Sequence, residues 1–217
     1  MRLRNIPGSE EVLANSDYVI NDPKNYKDKW KSVFNNNNPV RIEIGMGKGK
    51  FIVSLAKQNP EINFIGIEKY SSVLLRAVQK LEGDEELKNL RLICIDAKEL
   101  EEVFGKEEID KIYLNFSDPW PKDRHAKRRL TSKEFLKRYE AIIVKNGIIE
   151  FKTDNRILFD FSLEEYKESS WELDAVSFDL HKDSVLNVNN VMTEYETKFS
   201  QKGNPIFKMI LKLGKEI

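Results

Sequence analysis

The stretch "VRIEIGMGKGKFIVSLAKQNP", residues 40–60, contains the turn on which the prediction of the fold depends. Its apolar start predicts a short buried strand, and its second half predicts a helix that Pro60 ends. Gly45, Gly47 and Gly49 lie between the two. Glycine permits a positive φ and close approach of a ligand, so the loop either binds a ligand or is an ordinary tight turn. Its G-x-G-x-G spacing differs from the dinucleotide-binding and P-loop motifs.

The alternation of strand and helix continues along the chain. Apolar runs predict strands at residues 40–45, 62–68, 90–96, 109–116, 148–153, 171–180 and 205–213. Periodic segments predict helices at 23–34, 49–60, 71–83, 98–104, 132–147 and 156–169, with a short helix before the last strand. This order predicts an α/β fold, with a mostly parallel seven-stranded sheet and helices on both faces. The last two strands lack a long helical crossover, which predicts one antiparallel strand near the C-terminus, as in Rossmann-like class I methyltransferases.

Composition limits the class of protein. The chain has 217 residues, 40% hydrophobic and 33% charged, which suits a single domain over residues 1–217. We expect an N-terminal tail and helix at 1–38 and a Rossmann-like core at 39–217. The 36 basic and 36 acidic side chains cancel, so any binding of nucleic acid must depend on local charge. A signal-peptide pattern and a membrane-length apolar run are both absent, which predicts a cytoplasmic protein with no membrane partner.

The cysteine and histidine content argues against metal and disulfide chemistry. Cys94 is the only cysteine, which excludes an internal disulfide framework and fits a reducing compartment. Its apolar surroundings predict a buried, unreactive thiol. His125 and His181 lack metal-ligand spacing with each other or with the cysteine, so we predict no metal site.

Acidic residues occur in or after the first three predicted strands. Glu68 follows the glycines by about 20 residues, where an acid can accept hydrogen bonds from ribose hydroxyls. Asp96 follows the third strand and can accept from an adenine amino group, although either acid could instead cap the next helix. Glu43 lies inside the first strand, where a buried carboxylate is costly unless it is paired. The cationic amino-acid end of S-adenosylmethionine would supply a partner; Arg41 or Lys48 is the alternative.

The loop "NFSDPWPKDRHAKRR", residues 115–129, places a carboxylate beside a cationic run. Asp118 follows the fourth strand, at the sheet edge where ligands bind in open α/β folds. Pro119 and Pro121 restrict the backbone, which predicts either a preorganised carboxylate or an ordinary rigid turn. Residues 122–138 contain eight Lys or Arg against two acids, a net charge of +6. This run either binds phosphates or is a solvated surface.

Two later segments place polar side chains near the same edge. In "FKTDN", residues 151–155, Asp154 either accepts hydrogen bonds from the substrate or caps the next helix. In "MTEYE", residues 192–196, Thr193 and Glu196 have the spacing of a capping box. Because phosphates repel acids, this segment also suits contacts with a base or a cofactor, and both roles can hold.

These strings together resemble the bacterial tRNA (guanine-N7-)-methyltransferases. The matching strings are "EIGMGKGKF", "FIGIEK", "NFSDPWPKDRHAKRRL", "FKTDN" and "MTEYETKF", in family order between residues 43 and 199. The pattern "SDPWPKxRHxKRR" is highly specific for the family, whereas residues 1–38 match only loosely. The resemblance implies S-adenosyl-L-methionine as cofactor, S-adenosyl-L-homocysteine as product, and a guanine of the tRNA variable loop as target. It leaves a monomer or a homodimer open.

The resemblance also implies roles for the matching residues. The cofactor contacts fall on Glu43, Gly45, Gly47, Glu68, Asp96 and Asp118, of which Asp118 also has the catalytic position. The substrate contacts fall on Lys122, Asp154, Thr193, Glu194, Tyr195 and Glu196. The RNA-binding segment falls on Arg124, His125, Lys127, Arg128 and Arg129.

The chemistry of guanine N7 fits such a site. N7 has an in-plane lone pair and needs no deprotonation, so the enzyme must align N7 with the methyl group and sulfur. A nearby carboxylate could accept the guanine's amino or imino protons, or offset the developing charge. The alternatives are a methyltransferase of another RNA, a small molecule or a protein, and a non-catalytic RNA-binding protein with the same fold.

Overall fold

The computed structural model describes residues 8–81 and 86–214. Its strands are β1 (Val40–Ile44), β2 (Asn63–Glu68), β3 (Leu90–Cys94), β4 (Ile109–Asn115), β5 (Ile143–Thr153), β6 (Trp171–Ser177) and β7 (Phe207–Leu213). They form one sheet in the order β3-β2-β1-β4-β5-β7-β6. Strands β1 to β5 pair in parallel, and β7 runs antiparallel to both β5 and β6. The predicted mostly parallel sheet with one antiparallel strand is confirmed.

Helices cover both faces of this sheet. They are α1 (Ser9–Ala14), α2 (Trp30–Phe34), α3 (Lys50–Gln58), α4 (Ser71–Leu81), α5 (Leu100–Val103), α6 (Lys133–Glu140), α7 (Arg156–Glu165) and α8 (Glu194–Ser200). Alternate strand residues point to opposite faces. On one face Ile42 and Ile65 pack with α2, α5, α6 and α7. On the other, Phe64 and Leu92 pack with α1, α3 and α4.

Two predicted helices were wrong in extent. The segment 23–34 forms a 3₁₀ turn at Pro23–Tyr26 and then the short α2, because Asp28 between them has a φ of 62°. The helix predicted at 132–147 ends at Glu140, and β5 begins at Ile143. The β-branched residues that open β5 favour a strand, and this extension pairs Ile143 with Ile109 of β4.

The N-terminal segment covers the edge of the sheet at β3. The backbone of Leu92 exchanges hydrogen bonds with Tyr18 and Ile20, at 2.7 and 3.0 Å. Trp30 is fully buried, and its indole N–H donates to the carbonyl of Val103 at 2.9 Å. Pairing of this kind occupies backbone groups of the edge strand that could otherwise pair with a strand of another molecule. The expected tail is therefore packed from residue 8 onward, and residues 1–7 lie outside the described part of the chain.

Cys94 is exposed, so the prediction of a buried thiol was wrong. It is the last residue of the edge strand β3, and its neighbours Ile93 and Ile95 are buried while Cys94 itself faces outward. Within residues 8–81 and 86–214, no helix is long and apolar enough to cross a bilayer.

Candidate functional site

The glycine loop after β1 leaves open space at the carboxyl edge of the sheet. Gly45, Gly47 and Gly49 have φ values of 76°, 58° and 78°. A Cβ atom at Gly45 or Gly47 would meet nothing within 4 Å, whereas one at Gly49 would lie 3.2 Å from Cβ of Ala77 in α4. The first two glycines therefore present free backbone to a ligand, and the third allows the loop to pack against α4.

Glu68, at the end of β2, holds this loop. Its two carboxylate oxygens accept hydrogen bonds from the backbone N–H groups of Gly47 and Tyr70, both at 3.1 Å. Burial raises the pKa of Glu68, and the nearby charge of Asp118 raises it further against the effect of these hydrogen bonds. Glu68 and Asp118 therefore lie within electrostatic range of each other at the carboxyl edge of the sheet.

Glu43 is a buried carboxylate with an unsatisfied oxygen. It is 2% exposed; Oε1 accepts a hydrogen bond from Nδ2 of Asn115 at 2.9 Å, and Oε2 has no hydrogen-bond partner. Burial raises its pKa to about 8, against the opposing effects of Asn115 and the charge of Lys152. Arg41 pairs instead with Asp110 at 3.1 Å, and Lys48 is exposed. Among residues 8–81 and 86–214, no cation forms an ion pair with Glu43, although the charge of Lys152 acts on it from further away.

Asp96 caps the 3₁₀ turn Ala97–Glu99. One oxygen accepts from the backbone N–H of Lys98 at 3.0 Å, and the other from Nζ of Lys69 at 2.7 Å. Partial burial raises the pKa of Asp96, but the hydrogen bonds from Lys69 and Lys98 outweigh this and lower it. The capping alternative is therefore observed, and any contact with a cofactor would be additional to it.

The loop after β4 presents Asp118 to solvent in an unusual backbone conformation. Asp118 is exposed. Phe116 and Trp120, two residues before and after it, have φ values of 50° and 42°. Side chains other than glycine rarely adopt this left-handed region, so the loop has a specific shape that other contacts must maintain.

Arg129 lies inside the protein, beneath that loop. It is 5% exposed, and it donates from Nε to the carbonyl of Pro119 at 3.0 Å and from Nη2 to that of Trp120 at 3.1 Å. Its guanidinium carbon lies 4.2 Å from the ring centroid of Phe161 in α7. Two of its donors are therefore used inside the protein, unlike those of its exposed neighbours, and its contact with RNA stays a prediction.

The rest of the basic run is accessible. Lys122, Arg124, Lys127 and Arg128 are exposed. The guanidinium of Arg128 lies over the ring of Trp120 at 5.0 Å, and the His125 ring meets the same indole edge-on at 5.7 Å. These cations form a surface beside Asp118.

Tyr195, in the first turn of α8, and Asp154, directly after β5, lie together at the site. The hydroxyl of Tyr195 donates to Asp154 at 3.3 Å, and the Tyr195 ring lies 4.9 Å from that of Phe116. Asn155 caps α7 by accepting from the N–H of Leu158 at 2.8 Å, so the capping alternative for Asp154 was wrong. Asp154 and Tyr195 therefore meet the Asp118 loop at one edge.

Glu196 is fully buried, and its carboxylate binds other side chains inside the protein. Its oxygens contact Nζ of Lys152 at 2.7 Å, Nδ2 of Asn190 at 2.8 Å and Nε2 of His181 at 3.0 Å. Its own N–H donates to Oγ1 of Thr193 at 2.9 Å, so half of the predicted capping box is present. Both carboxylate oxygens are therefore occupied inside the protein, and a substrate contact by Glu196 stays a prediction.

Glu194, on the outer side of α8, pairs with Lys80 of α4 at 2.5 Å. Both side chains are about half exposed. The pair fixes α8 against the face of α4.

Sequence reasoning missed Lys152 and Asn115. Lys152 is a fully buried lysine on the central strand β5, and Asn115 orients Glu43 from the end of β4. A lysine within an apolar strand that helices cover on both faces is a signal for a buried ionic partner. The described residues contain no group of three or more His, Cys, Asp or Glu that could hold a metal ion; the absence of a metal stays a prediction.

Comparisons with known proteins agree with this geometry. A family model described as "Putative methyltransferase" matches residues 37–209. A structure of the 16S rRNA methyltransferase KamB has a TM-score of 0.65 at 13% identity, covering 86% of this chain and 93% of that chain, which supports the class I methyltransferase fold.

Curated relatives are similar over nearly their whole length. The tRNA (guanine-N(7)-)-methyltransferase of Lachnoclostridium phytofermentans is 60% identical, covering 100% of both chains. That of Bacillus subtilis is 52% identical, covering 96% of this chain and 97% of the relative. With this identity along its entire length, the chain belongs to the family of tRNA (guanine-N(7)-)-methyltransferases.

Proposed function

We propose that this protein transfers the methyl group of S-adenosyl-L-methionine to N7 of a guanine in the tRNA variable loop. The observation that carries the proposal is the combination of Glu43, buried in β1 with an unsatisfied carboxylate oxygen, and Asp118, exposed after the neighbouring strand β4. The surface formed by Lys122, Arg124, Lys127 and Arg128 lies beside Asp118. A cationic cofactor and a polyanionic substrate are the ligands that suit these two charges.

The residues present fit the cofactor. Oε2 of Glu43 lacks a hydrogen-bond donor, which the ammonium of the amino-acid end would supply. The open backbone at Gly45 and Gly47 leaves room for that end. Glu68 suits ribose hydroxyls and Asp96 an adenine amino group, in addition to their contacts within the protein. When bound, S-adenosylmethionine supplies an electrophilic methyl group on a sulfonium sulfur.

Asp118 is the catalytic residue in this proposal. The lone pair of N7 forms the new bond to carbon while the carbon–sulfur pair remains on sulfur, so no proton has to be removed first. The exposed carboxylate accepts hydrogen bonds from the guanine, or offsets the positive charge that grows on the purine. Either role needs a carboxylate in a fixed place, which the constrained loop supports.

The remaining polar groups hold the RNA. Lys122, Arg124, Lys127 and Arg128 bind phosphates, and Asp154 with Tyr195 contacts the target nucleotide. We also propose a cytoplasmic enzyme that works as a monomer or a homodimer and needs no metal ion.

Labelled S-adenosylmethionine and unmodified tRNA transcripts test the reaction directly. Label should enter tRNA, and cleavage selective for N7-methylguanine should map it to one guanine of the variable loop. Label at another position would remove the proposed target. Transfer only to a protein or a small molecule would overturn the tRNA substrate.

Asp118→Ala tests the catalytic assignment. We expect the variant to fold and to bind tRNA, since Asp118 is exposed, but to lose methyl transfer by about 100-fold or more. The measurement is single-turnover transfer with both substrates saturating. Wild-type transfer by this variant would disprove the assignment.

A further inference from the structure

The loop that carries Asp118 cannot hold its shape by its own hydrogen bonds. Phe116 and Trp120 have positive φ, a conformation that aromatic residues avoid unless their surroundings impose it. Pro119 and Pro121 lack a backbone N–H, so two of the six residues 116–121 have no backbone donor. The restraint must therefore come from outside the loop.

Arg129 supplies that restraint. Its guanidinium donates to the carbonyls of Pro119 and Trp120, the two residues directly after Asp118, at 3.0 and 3.1 Å. A planar guanidinium can serve two acceptors at once in a fixed geometry, which an ammonium does less well. The same group packs at 4.2 Å on the ring of Phe161, so it fixes the loop against α7.

We propose that Arg129 is a positioning residue for methyl transfer and takes no part in holding RNA. It lies in a run of cations, but its neighbours Lys127 and Arg128 are exposed whereas Arg129 is 5% exposed. A phosphate could reach it only after the loop had given up both hydrogen bonds. The inference rests on the proposed role of Asp118, because the loop is the support of that carboxylate.

Arg129→Lys separates the two roles because lysine preserves a phosphate contact but not the two-carbonyl geometry. If Arg129 positions the loop, kcat at saturating tRNA and S-adenosylmethionine falls about 10- to 100-fold, since small misplacements of reacting groups cost this much. The dissociation constant for tRNA and its dependence on salt stay at wild-type values. Wild-type kcat in Arg129→Lys would overturn the inference.

Arg129→Ala and Arg128→Ala form the matched comparison. Removing an exposed phosphate contact lowers the slope of log affinity against log salt by about 0.7 to 0.9. We expect this change for Arg128→Ala and none for Arg129→Ala. An equal loss of slope in both would show that Arg129 binds phosphate and would overturn the inference.

Two further variants keep the test decisive. If Arg129→Lys does not fold, Phe161→Leu removes the ring beneath the guanidinium. A lowered kcat with an unchanged salt slope supports positioning, and wild-type kcat contradicts it.

If Asp118→Ala keeps wild-type kcat while Arg129→Lys loses it, the role of Asp118 fails and the positioning of the loop stands. The reverse pattern refutes the inference and leaves the proposed function intact.

Discussion

At the scale of single residues, cofactor binding should change the protonation of Glu43, whose Oε2 atom has no hydrogen-bond partner. With a pKa of about 8, Glu43 is mostly protonated at pH 7 in the free protein. A bound ammonium favours the carboxylate and lowers that pKa, so binding should release a proton.

We therefore expect S-adenosylmethionine to release close to one proton per molecule bound at pH 7. Titration calorimetry in buffers of different ionisation enthalpy measures this number. Glu43→Gln is the control, and it should bind more weakly and release none. Binding without proton release in the wild-type protein would contradict the assignment of Glu43.

Single-residue predictions from burial were right for Glu43 and wrong for Cys94. Glu43 stood out because a charge inside an apolar strand needs a partner. The burial of Arg129 was missed because its sequence neighbours are exposed, and a charge run does not reveal which side chain turns inward. Asn115 was missed because its contact with Glu43 depends on the pairing of β1 with β4.

At the scale of elements, a buried ion pair holds α8 to the sheet. Lys152 of β5 and Glu196 of α8 are both fully buried, with Nζ and Oε2 2.7 Å apart. Lys152 also donates to the carbonyl of Val191 at 2.9 Å and to Asn190 at 3.1 Å. The segment that carries Tyr195 is thereby fixed beside the Asp118 loop.

Lys152→Met should lower the free energy of unfolding by about 3 to 5 kcal/mol, because it leaves Glu196 buried without its cation. Adding Glu196→Leu should recover much of this loss, since an apolar pair replaces the charges. Lys80→Met is the control. It breaks the exposed ion pair between Lys80 of α4 and Glu194 of α8, the helix that also carries Glu196, and should change the free energy of unfolding by under about 1 kcal/mol. Urea unfolding measures all four proteins. Similar losses of unfolding free energy for Lys152→Met and Lys80→Met would refute the idea that the buried pair holds α8 to the sheet.

Strands were easier to predict than helix ends. The Ile-rich runs of β1 and β2 are covered by helices on both faces, so composition alone identifies them. The helical pattern of α6 continues into the apolar start of β5, and only pairing with β4 separates the two. The insertion of β7 between β5 and β6 depends on contacts distant in sequence, which local pattern does not encode.

At the scale of the whole molecule, a neutral chain carries a concentrated positive surface. The 36 basic and 36 acidic side chains balance, but residues 122–138 have a net charge of +6. A neutral protein has little long-range attraction for a polyanion, so binding of tRNA should depend on where the charge is placed.

Lys127→Ala with Arg128→Ala should therefore weaken tRNA binding and lower the salt slope of log affinity by about 1.4 to 1.8, the value for two lost phosphate contacts. Lys29→Ala with Lys31→Ala removes the same charge from exposed positions in the N-terminal segment and should leave the slope unchanged. Filter binding across a salt series compares the two double variants, and S-adenosylmethionine affinity should be equal in both. If the salt slope falls equally in both variants, tRNA affinity depends on the total charge of the protein, and the surface beside Asp118 does not determine where tRNA binds. If the slope falls only in the first variant, the cations next to the catalytic loop bring the guanine to the methyl group.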